Sequence, residues 1–120
     1  MARYYEGDIN GHFWWGIQHS NAANRFGVIG RPPDYLEYYF DGDNLEDCEN
    51  EIKLIEEKLG DNLALLNEFY DVNSVDKPEL TTIVRQMDES IISDYADLIL
   101  GRKIRDHIKS FGDCNFNAEL

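Results

Sequence analysis

The chain has 120 residues, 42% of them hydrophobic, which is the size and composition of a single domain with one modest core, covering residues 1 to 120. It carries neither an N-terminal apolar leader nor the run of about eighteen apolar residues that a membrane span requires, so we expect a soluble, cytoplasmic protein. The formal net charge of −13 argues against direct binding to nucleic acid or to an anionic membrane, because both repel a negative surface.

Residues 3 to 8 and 12 to 18 predict two strands of a hairpin, because aromatic and β-branched residues flank the signal Asn10-Gly11. A two-residue turn would bury acidic side chains under the largest apolar rings. We therefore predict a three-residue loop with Gly11 in the left-handed conformation. The residues that this register turns inward are Tyr5, Gly7, Phe13, Trp15 and Ile17. Those that it turns outward are Tyr4, Glu6, Asp8, His12 and Trp14.

Residues 21 to 26 predict a short helical turn that His19 or Ser20 caps and Gly27 ends, with Phe26 anchored in the core. The prolines of residues 28 to 34 indicate a surface connection. Residues 35 to 40 alternate apolar and polar positions, which predicts a half-buried third strand. Its inward side chains are Leu36, Tyr38 and Phe40.

An apolar stripe at helical spacing predicts a long helix over residues 44 to 70. The stripe consists of Leu45, Cys48, Ile52, Ile55, Leu59, Leu63, Leu66 and Tyr70. Asp43 and Glu46 have the spacing of a capping box, and Gly60 is either tolerated at a cost of about 1 kcal/mol or marks a kink. Cys48 on this stripe and Cys114 near the C-terminus are interpreted as reduced packing residues, because no metal or redox spacing links them.

Residues 71 to 77 predict a loop, after which Pro78 opens a second helix. The residues of that helix expected to face inward are Leu80, Ile83, Val84 and Met87. Asp88 or Ser90 can cap a third helix, which Gly112 ends. Its apolar stripe is Ile92, Ala96, Leu100, Ile104 and Ile108.

Residues 114 to 120 alternate again and predict a fourth strand beside one of the N-terminal strands. The order of elements predicts an α+β fold of two layers. One layer is a four-stranded antiparallel sheet of the hairpin, the third strand and the C-terminal strand, and about three helices cover one of its faces. The other face is left to solvent or to a partner, and a homodimer stays open.

No catalytic or metal motif emerges from the residues. His12, His19 and Asp8 lack a recognised ligand spacing, and we expect His107 to be a surface residue. Neither cysteine pairs with a histidine in a pattern typical of a nucleophile, and no phosphate-binding glycine loop is present. Residues 80 to 100 loosely resemble a helix-turn-helix, but acidic groups would face the phosphates. We therefore predict a protein that is not an enzyme and that holds no cofactor or metal.

The acidic groups concentrate in the middle of the chain. Residues 34 to 97 contain four basic and nineteen acidic groups, a net charge of −15. Such a block either only keeps the protein soluble or attracts a basic protein surface at long range. The partner-binding residues predicted on the outer face of the long helix are Glu46, Asp47, Glu49, Glu51, Glu56 and Glu57.

An amide-rich segment beside exposed rings suggests an alternative site for a nucleotide-like small molecule. Its residues are Tyr4, Trp14, Gln18, His19, Asn21, Asn24 and Arg25. Rings could stack on a planar ligand while amides bind its edges, and Arg25 or Arg31 could bind a phosphate. The amides and Ser20 could equally serve only the local backbone.

Both ends of the chain resemble a class of known proteins. Residues 2 to 5, 7 to 9 and 13 to 16 with Gln18, and the closing residues 116 to 120, are similar to small acidic proteins of unknown role from phages and mobile elements. The resemblance implies inhibition of host defence or regulation. Our leading hypothesis is a non-catalytic inhibitor of nucleic-acid-mimic type, which presents its acidic helices to a basic groove of a host nucleic-acid-handling effector. A nucleotide-binding or sequestering protein is the alternative.

Overall fold

The computed structural model describes residues 3 to 14, 16 to 32, 35 to 70 and 78 to 120. The strands are β1 (Tyr4–Gly7), β2 (Gly11–His12), β3 (Tyr35–Asp41) and β4 (Asp113–Glu119). The helices are α1 (Leu45–Leu59), α2 (Asp61–Phe69), α3 (Pro78–Arg85) and α4 (Glu89–Phe111), with short 3₁₀ turns at Ala22–Phe26 and Gly42–Asn44. These elements confirm the predicted α+β fold. Trp15 and the predicted loop 71 to 77 lie outside the described residues.

The sheet is antiparallel, with the strand order β2-β1-β4-β3. The C-terminal strand therefore lies beside β1, as predicted, and also beside β3. Its single inward ring, that of Phe116, stacks with rings of β3, since it lies 5.1 Å from Tyr38 and 6.2 Å from Phe40 between ring centroids. All three side chains are buried, so the middle of the sheet provides the aromatic part of the core.

The hairpin differs from the predicted register. Tyr4 pairs with His12 and Tyr5 with Gly11, so the connection is longer than three residues, and Gly7 rather than Gly11 has a positive φ, of 148°. A Cβ at Gly11 would lie 2.6 Å from Cζ of Tyr5, so any side chain at this position would clash with the tyrosine ring. The observed and predicted registers differ by an even number of residues. Because side chains alternate between the two faces of a strand, Tyr5 and Phe13 stay on the buried side, as predicted.

Gly7 provides room for a neighbouring strand, but the neighbour is β4 and not β2. A Cβ on Gly7 would lie 2.7 Å from Cα of Phe116. On the opposite edge of β1, the second strand of the hairpin is only two residues long. Trp14 then follows β2 outside the sheet.

The turn at Ala22–Phe26 ends as predicted, with Gly27 in the left-handed conformation and Phe26 fully buried. The predicted cap is wrong, because Asn21 precedes the turn without a side-chain capping bond and Ser20 accepts a hydrogen bond from Arg3 instead. The surface connection that follows also serves the sheet. Arg31 and Glu37 exchange two backbone hydrogen bonds, of 3.0 and 2.9 Å, which cover part of the free edge of β3.

The predicted long helix is two helices. Gly60 has φ 53° and ψ −129°, which no helix contains, and it separates α1 from α2. The apolar stripe of α1 is buried as predicted, at Cys48, Ile52, Ile55 and Leu59. The capping box also differs: Asp41 accepts from the backbone of Asp43, and the side chain of Asn44 reaches back to Asp41.

Helix α4 crosses the domain and packs against α1 and the sheet. Of the two proposed caps, Asp88 is the one that accepts from the backbone of Ser90, and Gly112 ends the helix in the left-handed conformation. Of the residues predicted inward on α3, Leu80 and Val84 are buried, whereas Ile83 is 43% exposed and corrects that prediction. Two acids of α4, Asp94 and Asp97, are buried among its apolar residues.

Candidate functional site

Trp14 packs against the helical layer instead of facing outward as predicted. Its ring contacts the ring of Tyr70 edge-on at 4.8 Å and that of Tyr95 at 6.1 Å. Tyr4, by contrast, is exposed and its ring lies 4.7 Å from that of His12. The two rings proposed to stack one ligand are therefore on opposite sides of the sheet.

Gln18 connects the segment after Trp14 to α4. Its Nε2 donates to Oδ1 of Asp97 at 2.9 Å, and its Oε1 accepts from the backbone N–H of Trp14 at 3.1 Å. The side chain of Ser93 adds a bond of 3.2 Å to the carbonyl of Ile17. Gln18 is 3% exposed, so its amide serves the fold and presents no edge to a ligand.

Arg25 occupies the centre of an ion-pair network. Its Nη1 lies 2.6 Å from Oδ2 of Asp97 and 3.3 Å from Oδ1 of Asp94, while Nη2 lies 3.1 Å from Oε1 of Glu51. Lys58 adds a bond of 3.0 Å to the other oxygen of Asp94. A phosphate at Arg25 would have to displace carboxylates already in place.

The protonation equilibria of this network follow from burial and charge. Burial alone would lower the pKa of Arg25, but hydrogen bonds and charge from Asp97 and Glu51 outweigh it, so that the pKa is raised. Burial raises the pKa of Asp97 above its ordinary value, although the bonds from Arg25 and Gln18 act in the opposite direction. The network is thus a structural ion-pair system built across three elements.

Asn24 is also committed to the fold. Its Oδ1 accepts from the backbone N–H of Gly30 at 2.9 Å and from the hydroxyl of Tyr38 at 2.5 Å. Of the proposed ligand-binding residues, His19 and Asn21 are exposed together with Tyr4. The structure does not assemble the seven residues into one cleft with free polar groups, because Gln18, Asn24 and Arg25 bind the protein itself.

The six acids predicted on the long helix divide into two groups. Glu51 pairs with Arg25, Glu56 with Arg102 at 3.0 Å, and Glu49 lies 3.7 Å from Lys109. The acids that form no ion pair within the described part of the chain are Glu46, Asp47 and Glu57, all exposed. Half of the predicted surface therefore fastens α1 to its neighbours. The sequence identified these acids but gave no signal for the cations from α4 and the 3₁₀ turn.

One group of the described residues has the chemistry of metal ligands. Atoms of Asp8, His107 and Asp113 lie within 4.8 Å of one another, whereas the histidines considered from sequence, His12 and His19, are outside this group. Nδ1 of His107 is 2.5 Å from the backbone oxygen of Asp113, and Oδ2 of Asp8 accepts from Asn115 at 2.8 Å. These bonds tie both the end of α4 and the loop after β1 to the first residues of β4. His107, predicted at the surface, is half-buried.

The outer face of the sheet carries a second set of polar and aromatic side chains. In the register of β3 with β4, Tyr35 stands opposite Glu119, Glu37 opposite Asn117, and Tyr39 opposite Asn115. On the other side of β4, Glu6 stands opposite Asn117. This set, with Tyr4, is called the outer sheet face below. Alternation in the sequence predicted which residues face outward, but not which become neighbours.

None of the described helices is long and apolar enough to cross a membrane. Comparison of the chain with family models, with curated proteins and with solved structures finds no match.

Proposed function

We propose that this protein is a non-catalytic binding protein of a phage or other mobile element, which inhibits a host nucleic-acid-handling effector by presenting an acidic surface to its basic groove. The observation that carries the proposal is that several cationic side chains are already bonded to groups of the protein itself. Arg25, Lys58 and Arg102 pair with acids of the helical layer, and Lys103 donates to Tyr5 and to the backbone of Asn10. The excess negative charge, a net −13, therefore lies at exposed acids and makes the surface of the protein negative.

The exposed acids lie on both layers of the fold. In the described chain, Glu46, Asp47 and Glu57 on α1 and Glu6, Glu37 and Glu119 on the sheet are exposed and form no ion pair. A surface of this sign attracts a basic groove over about one Debye length, roughly 8 to 10 Å at physiological salt. It also competes there with nucleic-acid phosphates, which bind largely through the same electrostatic term.

The state of the thiols supports a non-catalytic role. Burial raises the pKa of Cys48 to about 11 and that of Cys114 to about 12, so both are protonated at neutral pH. Each belongs to the core, Cys48 on α1 and Cys114 on β4. A buried, protonated thiol packs and does not act as a nucleophile.

Capture from bacterial extract tests the proposal. The protein is immobilised, and nuclease-treated extract is applied at low salt. We expect a nucleic-acid-binding protein that heparin, a polyanion, releases at constant ionic strength, and whose retention falls steadily as salt rises. Bovine serum albumin, another acidic protein, is the control for general ion exchange. Retention of the same proteins by albumin, or captured proteins that neither heparin nor salt releases, would overturn the proposal.

A further inference from the structure

The outer sheet face alternates tyrosine rings with carboxylates. Tyr4, Tyr35 and Tyr39 are 43%, 40% and 53% exposed. Cross-strand partners have Cβ atoms about 5 Å apart, so Tyr35 lies directly beside Glu119. Glu37 and Glu6 lie on either side of Asn117, one on each neighbouring strand.

Among the described residues, shallow clefts open on this face, and two of them combine a ring with a carboxylate. The first, of about 390 Å³, is lined by Tyr4, Glu6, His12 and Glu119 among others. The second, of about 560 Å³, lies beneath the segment after the 3₁₀ turn and is lined by Ile29, Arg31, Glu37, Tyr39 and Asn115 among others. Ile29 is 77% exposed and gives the second cleft an apolar rim.

The charge of the face selects among occupants. Its carboxylates, Glu6, Glu37 and Glu119, form no ion pair in the described chain, and the basic side chains of the described residues beside it are Arg31 and His12 at the margins. A second copy laid on the face would set carboxylate against carboxylate, and nucleic acid would be repelled. A positively charged protein segment is the occupant that this charge favours.

A tyrosine beside a carboxylate suits a guanidinium group in particular. The arginine plane stacks on the ring, while its N–H groups donate to the carboxylate, often in pairs. Helix α1 offers no comparable arrangement, because no aromatic residue lies on it to stack a guanidinium group. Tyrosine is also among the residues that contribute most to binding at protein interfaces.

We propose that the outer sheet face is the docking surface for an arginine-rich segment of a protein, with guanidinium groups held between Tyr35 or Tyr39 and the neighbouring carboxylates. The inference rests on the proposed function for the basic nature of the partner. It places the contact on the sheet and not on the acids of α1.

The test measures binding of a fluorescein-labelled nona-arginine peptide by fluorescence anisotropy at about 50 mM salt. Wild-type protein is expected to bind it more tightly than nona-lysine. Tyr35→Leu/Tyr39→Leu should weaken nona-arginine binding by about tenfold and remove the preference over nona-lysine. Glu37→Gln/Glu119→Gln should weaken binding of both peptides. The matched control is Glu46→Gln/Glu57→Gln, which changes the charge equally on α1 and should leave affinity within about twofold.

The outcomes separate this inference from the proposed function. All six substituted side chains are exposed, and melting temperatures verify that the variants fold. If only the α1 variant weakens binding, the assignment of docking to the outer sheet face is wrong, while the proposed function as an acidic binding protein is unaffected. Absence of nona-arginine binding overturns the docking face alone, since capture from extract tests the function separately. Sedimentation that shows a dimer of the wild type, dissociated by Tyr35→Leu/Tyr39→Leu, would assign the face to a second copy and also overturn the inference.

Discussion

Nη1 of Arg25 donates to Oδ2 of Asp97 at 2.6 Å, which joins the 3₁₀ turn to the middle of α4. Both partners lie far apart in the chain, and Asp97 is 8% exposed. The same guanidinium reaches Glu51 on α1. One side chain thus joins three elements. Its removal should weaken the packing of the whole helical layer.

Arg25→Ala should lower the free energy of unfolding by about 2 kcal/mol, because it leaves Asp97 charged and poorly solvated. The loss is smaller than for a fully buried pair, since the Arg25 side chain keeps 28% exposure. Urea unfolding measures the change. Arg85→Ala, at an exposed position, serves as the control and should change stability by less than about 0.5 kcal/mol. Arg25→Met/Asp97→Leu should recover part of the loss; equal losses in Arg25→Ala and Arg85→Ala would contradict the role of the network.

Gly101→Ala should destabilise the protein although it improves helix propensity. In an exposed helix this change contributes about 1 kcal/mol of stability. Here the new Cβ would lie 2.6 Å from Cζ of Phe26, a fully buried ring, and the resulting overpacking should cost about 1 to 3 kcal/mol. Thermal unfolding would show a lower melting temperature. Gly101→Ala/Phe26→Leu, which makes room for the methyl group, should be more stable than Gly101→Ala, and the opposite order would refute the contact.

The acids of α1 should differ in their effect on stability. Glu51→Gln removes the carboxylate that pairs with Arg25 and should cost about 0.5 to 1 kcal/mol. Glu57→Gln changes the charge equally at an exposed position near the C-terminal end of α1 without an ion pair in the described chain, and removal of an acid from that end should leave stability unchanged or slightly higher. Chemical denaturation of the two variants side by side tests the distinction. Equal losses would mean that the helix acids are equivalent.

Stability should fall in alkaline solution because two buried thiols resist ionisation. Cys48 and Cys114 have pKa values raised from 9.0 to about 11 and about 12, so above pH 9 the unfolded chain releases protons that the folded chain keeps. The contribution is complete below pH 9 and is lost as the pH rises through the folded values. Tyr38, with a pKa raised to about 12 by burial, adds to the loss at the upper end.

Urea unfolding of the wild type between about pH 8 and pH 11 measures this dependence. Cys48→Ala/Cys114→Ala should show a shallower decline over the same range, although it is less stable throughout because two packed sulfurs are missing. A parallel decline in both proteins would assign the alkaline loss to other groups.

For β3 and α1, the sequence by itself determined which residues face the core. Alternation placed Leu36, Tyr38 and Phe40 inward, and the helical stripe of α1 is buried as its spacing required. Glycines and caps with local geometry, such as Gly27, Asp88 and Gly112, were also readable. These features follow from the fixed periods of helix and strand and from backbone preferences within a few residues.

The tertiary structure alone determined which residues from distant parts of the chain come into contact. The hairpin connection is longer than the local Asn10-Gly11 signal predicts, and Trp14 follows the two-residue strand β2 outside the sheet. In the sequence, nothing distinguishes Asp97 from the other acids of the helix. Only the structure shows that it accepts a hydrogen bond from Arg25, 72 positions away. Such contacts depend on burial and on charges brought together from distant segments, which no local period contains. For the same reason the pairing of Tyr35 with Glu119 on the outer sheet face became visible only in the assembled sheet.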